Sequence, residues 1–373
     1  MKNVTLALAL LFTATPAFAQ FGQLSKLKQQ ADRVKKLSDM NISDKDERVL
    51  GEQVSTLIRN DFGVYQDDAV GKYVTLVGNV LAQASSRPNL DWQFIVLDTD
   101  GVNAFAAPGG IVHITRGALG LIKNEAQLAG VLGHEITHIT AKHTVNAIQK
   151  NNMVSFTAEE AGNQSGFTGA MISKLAQAAY KNILNNKFDR GDENESDRVG
   201  VQLAAKLGYA PTGLVEVLTS IAARNKDQAE PNGMFASHPL IKDRIVSIEK
   251  TIKEQNLTGS ATVAARYTGV IAFDAKPLSE IAITEAGARG LAGGEPAKED
   301  KDKDKKDEGK KKGGFLGKVG LTSGQQAQNS QTVASAGARG GVPDRDAKGG
   351  GNPSVKIVKV SPAELEAFKK GIA

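Results

Sequence analysis

A chain of 373 residues is long enough to bury a full catalytic core and leave segments over. It contains no cysteine, which excludes disulfides and thiolate metal ligands and leaves any bound metal to His, Asp and Glu. The formal charge is +5, or +4 without the first 19 residues, which carry one lysine and no acid; an excess this small and scattered argues against nucleic acid and suits at most peripheral contact with an anionic envelope surface.

The N-terminus reads as a processing signal. Lys2 is the positive end, Val4 to Ala14 is a short apolar run, and Ala17-Phe18-Ala19 is a small-x-small cleavage site. The mature protein is expected to begin at Gln20, without a lipidated cysteine or a transmembrane helix, and so to be periplasmic. Residues 20–42 read as a polar helical arm. Ser43 and the acids after it start a helix to about Arg59, and Val70, Tyr73, Val74, Val77, Val80 and Leu81 form the stripe of a second. Strands are expected at 92–97, 103–106 and 111–115, the last entered through the turn Pro108-Gly109-Gly110.

A long helix is expected from about Glu125 through His143 and beyond. A polar stretch with Gly162, Gly166 and Gly169 follows, with the composition of a mobile lid, then a helix at about 171–184. Further helices are expected around 193–207, ended by Gly208, at 212–224 and at 240–254. Residues 256–285 read as a strand extension. Residues 286–354 are low complexity, with eight Lys and seven acids between 295 and 312, a solvated linker. A strand at 355–360 and a capping-box helix from Ser361 read as a docking element. The expected fold is α+β, mainly helical, with a small antiparallel sheet and a low-complexity tail. Residues 43–255 form the catalytic domain, and 286–373 should be dispensable for chemistry.

The decisive string is His134-Glu135-Ile136-Thr137-His138. On a helix, positions i and i+4 share a face, so both imidazoles can reach one cation, and Glu135 can reach a water there as general base without ligating. Two imidazoles and one carboxylate suit zinc. For the third ligand, Glu193 and Asp197 lie on one face of a helix with Glu195 roughly opposite; Glu193 could bind the metal and Asp197 hydrogen-bond a ligating His, or the group could be a solvated acidic first turn. His238, just before a helix, could reach a cleft, and Arg244 could help hold or charge the site; a helix start with a surface His is the plainer alternative. His143, nine residues after His134 and about 180° round a continuous helix, is expected to be structural, as is His113.

Residues 43–250 resemble the HtpX/BepA/CaaX-prenyl-protease family of zinc endopeptidases, most of all its soluble periplasmic BepA-like branch. The match is carried by Glu47-Arg48-Val49-Leu50-Gly51, Asn103 to Gly110, Leu132 to His143, Arg190 to Gly200, and His238-Pro239 with Arg244. The resemblance implies a zincin fold of the gluzincin type and one zinc per chain on His134, His138 and Glu193, with Asp197 behind them. It implies His238 as an oxyanion or metal-capping group with Arg244 nearby, and Asn103, Ala104, Phe105 and Ala106 as the strand along which substrate adds. It implies unfolded or misassembled envelope proteins as substrates. Asp189 stands where the family usually has Ser, and the repeat domain of BepA is absent. A dedicated processing peptidase, and a chaperone-like client binder with a latent metal site, are the competing readings; nothing in the sequence speaks to oligomeric state.

Overall fold

The computed structural model describes residues 42–150, 169–185, 188–226, 241–278 and 357–372. The signal, the N-terminal arm, the expected lid, His238 and the low-complexity tail lie outside the described residues.

Helix α1 (Asp44–Phe62) is started by Ser43, whose side chain accepts from Asp46 N, and carries acids in its first turn and Arg59 in its last. Helix α2 (Asp68–Ala84) is capped by Asp67 and buries the predicted stripe. Strands β1 (Gln93–Leu97), β2 (Ala104–Ala107) and β3 (Ile111–Thr115) follow. They form one sheet in the order β1-β3-β2. β2 and β3 make the antiparallel hairpin that the sequence implied, turning through Gly109 and Gly110 at φ 72° and 99°. β1, however, pairs parallel with β3, so the sheet is mixed rather than antiparallel. The reason is the connection at 98–103: it carries the chain past β3 before β2 begins, and β3 then returns beside β1. Every strand residue is buried, so both faces are covered and no polar alternation marks the strands.

Next come α3 (Arg116–Leu121), α4 (Glu125–Thr140), α5 (His143–Lys150), α6 (Gly169–Asn185), α7 (Arg190–Lys206), α8 (Gly213–Arg224), α9 (Ile241–Glu254), α10 (Ala264–Thr268) and α11 (Pro362–Lys370). The long helix expected through His143 is in fact two. α4 stops at Thr140, Lys142 takes the left-handed conformation at φ 57°, and α5 begins at His143. At that break the Ile139 carbonyl accepts from Lys142 N and also from the Arg87 side chain.

α4 is the axis of the molecule, packed on α2, α7, α8 and β2. Its crossing with α7 is set by two glycines. A Cβ on Gly133 would lie 2.9 Å from the Gly200 carbonyl oxygen, and one on Gly200 would lie 2.8 Å from His134 N. Gly133 therefore makes room for α7, and the close approach brings α7's acids to the histidines.

The strand extension expected at 256–285 is not seen in the described part. Residues 264–268 are helical, and 270–273 run as irregular chain held by Tyr267, whose hydroxyl donates to the Leu119 carbonyl at 2.5 Å. Residues 357–360 are likewise not a strand. α11 does have the predicted capping box between Ser361 and Glu364, and it docks on α2. Leu365 and Ile372 join the main core, so this end of the tail is part of the fold. Among the described residues no helix is long and apolar enough to cross a membrane. The architecture is α+β, mainly helical.

Candidate metal centre

Asn124 caps α4, accepting from Gln127 N at 2.9 Å, and the helix runs unbroken through His134, Glu135 and His138. α7 is capped by Asp189, which accepts from Asp192 N at 3.0 Å; that bond leads the effects that lower the Asp189 pKa. The aspartate thus does the capping work that a serine would do. Glu193 stands in the first turn beyond this cap, facing α4.

His134, His138 and Glu193 converge, with their candidate ligand atoms within 4.8 Å of one another and all three residues buried. The two Nε2 atoms are 3.1 Å apart, and the Glu193 carboxylate oxygens lie 3.7 Å from that of His134 and 3.6 Å from that of His138. Bonds of about 2.0–2.1 Å in a tetrahedron would set neighbouring donors roughly 3.3 Å apart. The observed separations bracket that value, so the donor set fits zinc. Glu135 is fully buried beside it.

Asp197, one turn after Glu193, accepts from His134 Nδ1 at 2.9 Å. An acceptor there puts the ring proton on Nδ1 and leaves Nε2 for a metal. Arg244, from α9, grips Asp197 with two hydrogen bonds of 2.8 and 2.7 Å and reaches Glu193 at 3.0 Å. Burial alone would raise the Asp197 pKa, but Arg244 and the His134 ring outweigh it and hold the carboxyl far below its usual range. Burial would likewise lower the Arg244 pKa, and Asp197, Glu193 and Glu135 together raise it instead. Arg244 thus touches two acids of the site.

His143 is where sequence reasoning missed. On one continuous helix His143 would face away from His134; the break at Lys142 folds it back, and its Nδ1 lies 3.0 Å from Nδ1 of His138. Glu195, placed opposite by the same reasoning, reaches His143 Nε2 at 3.4 Å. Phe188 was also missed; its ring packs on that of His138 with centroids 4.2 Å apart. The nearest signal was the pairing Lys142-His143 at the end of the resemblance. His113 is structural as expected: fully buried, with Nε2 2.9 Å from the Ser55 hydroxyl. Asn103, Ala104, Phe105 and Ala106 are all buried, on and just before the edge strand β2, which also touches α6. His138 lines a small cavity together with Ala106, Pro108, Ile139, Lys142 and Val145.

The family model of Peptidase family M48 matches residues 69–252, the span that holds the histidine pair, Glu193, Asp197 and Arg244. Residues 69–252 are an M48 peptidase domain. The chain is 27% identical over 209 residues to the beta-barrel assembly-enhancing protease of Yersinia pestis, covering 53% of this chain and 42% of that protein. It is 25% identical over 248 residues to the putative beta-barrel assembly-enhancing protease of Vibrio cholerae, covering 60% and 50%. The mitochondrial metalloendopeptidase OMA1 of Arabidopsis thaliana is 26% identical over 239 residues, covering 63% and 48%. The chain thus spans about half the length of the curated relatives it matches.

Proposed function

We propose that this chain is a zinc-dependent endopeptidase of the periplasm that hydrolyses unfolded or misassembled envelope polypeptides. The observation that carries the chemistry is the convergence of His134, His138 and Glu193 with Glu135 in the adjoining helical position. Zinc, when bound there, supplies Lewis-acid polarisation of a water and of the scissile carbonyl. Glu135 takes the water's proton and later delivers it to the leaving amine. Asp197 keeps the His134 proton on Nδ1, and Arg244 offsets the negative charge that Glu193 and Asp197 bring into a buried site.

Substrate would lie extended along β2, beside the cavity at His138, pairing through backbone hydrogen bonds. Because β2 and the donors are buried, entry requires its cover to shift. Burial of the three donors also suits the second reading, a client-binding protein whose metal site stays latent. The envelope setting rests on the Ala17-Phe18-Ala19 signal and on relatives whose names are beta-barrel assembly-enhancing protease. Incubation with a denatured polypeptide separates the readings. Cleavage by the wild type, lost in Glu135→Gln, supports the peptidase; protection from aggregation without cleavage, equal in both, supports the binder.

A further inference from the structure

The two candidate histidine ligands are held by different outer partners. His134 has a carboxylate, Asp197, while His138 has another imidazole. We propose that His143 is the positioning residue for His138: its Nδ1 accepts the His138 Nδ1 proton and so keeps the His138 Nε2 lone pair turned toward the metal position. The inference rests on the metal reading above.

Two imidazole nitrogens 3.0 Å apart make one hydrogen bond, in which one donates and the other accepts; the Ser196 hydroxyl is the more distant neighbour of His143 Nδ1, at 3.4 Å. If His143 donated, a neutral His138 would carry its proton on Nε2. That atom faces His134 Nε2 at 3.1 Å and Glu193 at 3.6 Å, and a proton there would remove one lone pair from the donor set. Metal binding therefore selects the other assignment, with His138 donating. His143, accepting at Nδ1, then carries its own proton on Nε2, and that nitrogen lies 3.4 Å from the Glu195 carboxylate and 3.6 Å from that of Asp192. The proton order runs outward from ligand to imidazole to acid.

The arrangement has an electrostatic rationale. Glu135, Glu193 and Asp197 are all buried at the site, and Arg244 is already shared between Glu193 and Asp197. Another carboxylate against His138 would add a buried negative charge at considerable desolvation cost. An imidazole accepting at Nδ1 orients the ring without that negative charge and passes the acidic end of the chain to Glu195, whose side chain is 48% exposed. The helix break at Lys142 is what makes this possible, since it brings His143 back to the ring it supports.

The test is a long-range proton–nitrogen spectrum of the zinc-loaded wild-type protein labelled in its histidines. The expected result is His138 protonated at Nδ1, with His143 unprotonated at Nδ1 and protonated at Nε2. A proton on His143 Nδ1 overturns the proposal, while failure of the wild type to take up zinc overturns the metal reading beneath it. Variants give a second readout through zinc competition with a chelator. His143→Leu, which fills the space without accepting, should weaken zinc binding about 10–100-fold, and His143→Asn, which keeps an acceptor near Nδ1, should stay within about threefold of wild type. Equal affinity of His143→Leu and wild type, or equal weakness of both variants, contradicts it.

Discussion

Arg266 holds Glu125 in a two-point side-chain grip, one of whose hydrogen bonds measures 2.7 Å. Glu125 is the first residue of α4 and is completely buried; the hydroxyls of Tyr73 and Tyr209 also donate to it, at 2.6 and 2.5 Å. The Arg266 guanidinium lies 3.9 Å over the Phe368 ring and donates to the Phe368 carbonyl. The C-terminal helix is thereby tied to the start of the helix that carries the metal site.

That tie gives the end of the tail a role in stability. The segment 357–372 packs in the core, so a chain ended at residue 278 should unfold at a temperature several degrees below the full chain. Leu365→Ala alone should cost about 2–4 kcal/mol, read by denaturant unfolding. Unchanged unfolding in both would show that the docking of α11 contributes nothing.

Arg244 is buried between two acids, and removing it strands them. Arg244→Leu should destabilise the protein by about 3–5 kcal/mol, since it leaves Asp197 and Glu193 without their cation. Arg244→Lys should recover only part, because one ammonium cannot reproduce the two bonds to Asp197 and the contact with Glu193. Denaturant titration of the three proteins checks the order, and a fully stable Arg244→Leu would contradict it.

Asp197→Asn replaces the acceptor behind His134 with a group that can present either an acceptor or a donor. Zinc affinity should fall about 10–100-fold while the fold survives. Chelator competition measures this, and wild-type affinity would remove Asp197 from the account.

His113 supplies a pH prediction away from the metal. Burial, with Arg59 nearby, pushes its imidazole down to about 3. Its folded pKa is below the unfolded value of about 6.5, so the unfolded chain binds the extra proton between these limits. The contribution to stability is therefore complete above pH 6.5 and is lost as pH falls toward 3, at about 1.4 kcal/mol per pH unit. His113→Gln should show a flatter stability profile than wild type across that window, and parallel profiles would contradict the assignment.

The sequence was most legible where chemistry needs a fixed local spacing. The His134–His138 pair, the Glu193–Asp197 face and the Ser361 capping box each depend on one helix, and each stands where it was expected. What failed depended on long-range geometry. The parallel pairing of β1 with β3 is decided by the path at 98–103, which no residue pattern encodes. Buried on both faces, the strands show no alternation. His143 failed for a subtler reason: Thr140-Ala141-Lys142 has no Gly or Pro to announce a break, and the left-handed turn at Lys142 forms against neighbours such as Arg87 that are distant in sequence. Arg244 could be suspected by position, but its contact with both acids required the packing of α9 on α7.

The central claim is that a His134–His138–Glu193 metal site works with Glu135 as the base. The most direct test is cleavage of a denatured polypeptide by Glu135→Gln, with the zinc content of the same sample measured alongside. The account predicts about one zinc per chain and a loss of at least about 100-fold in cleavage rate, because the substitution removes a proton acceptor and no ligand. Cleavage at the wild-type rate by the zinc-loaded variant would contradict it.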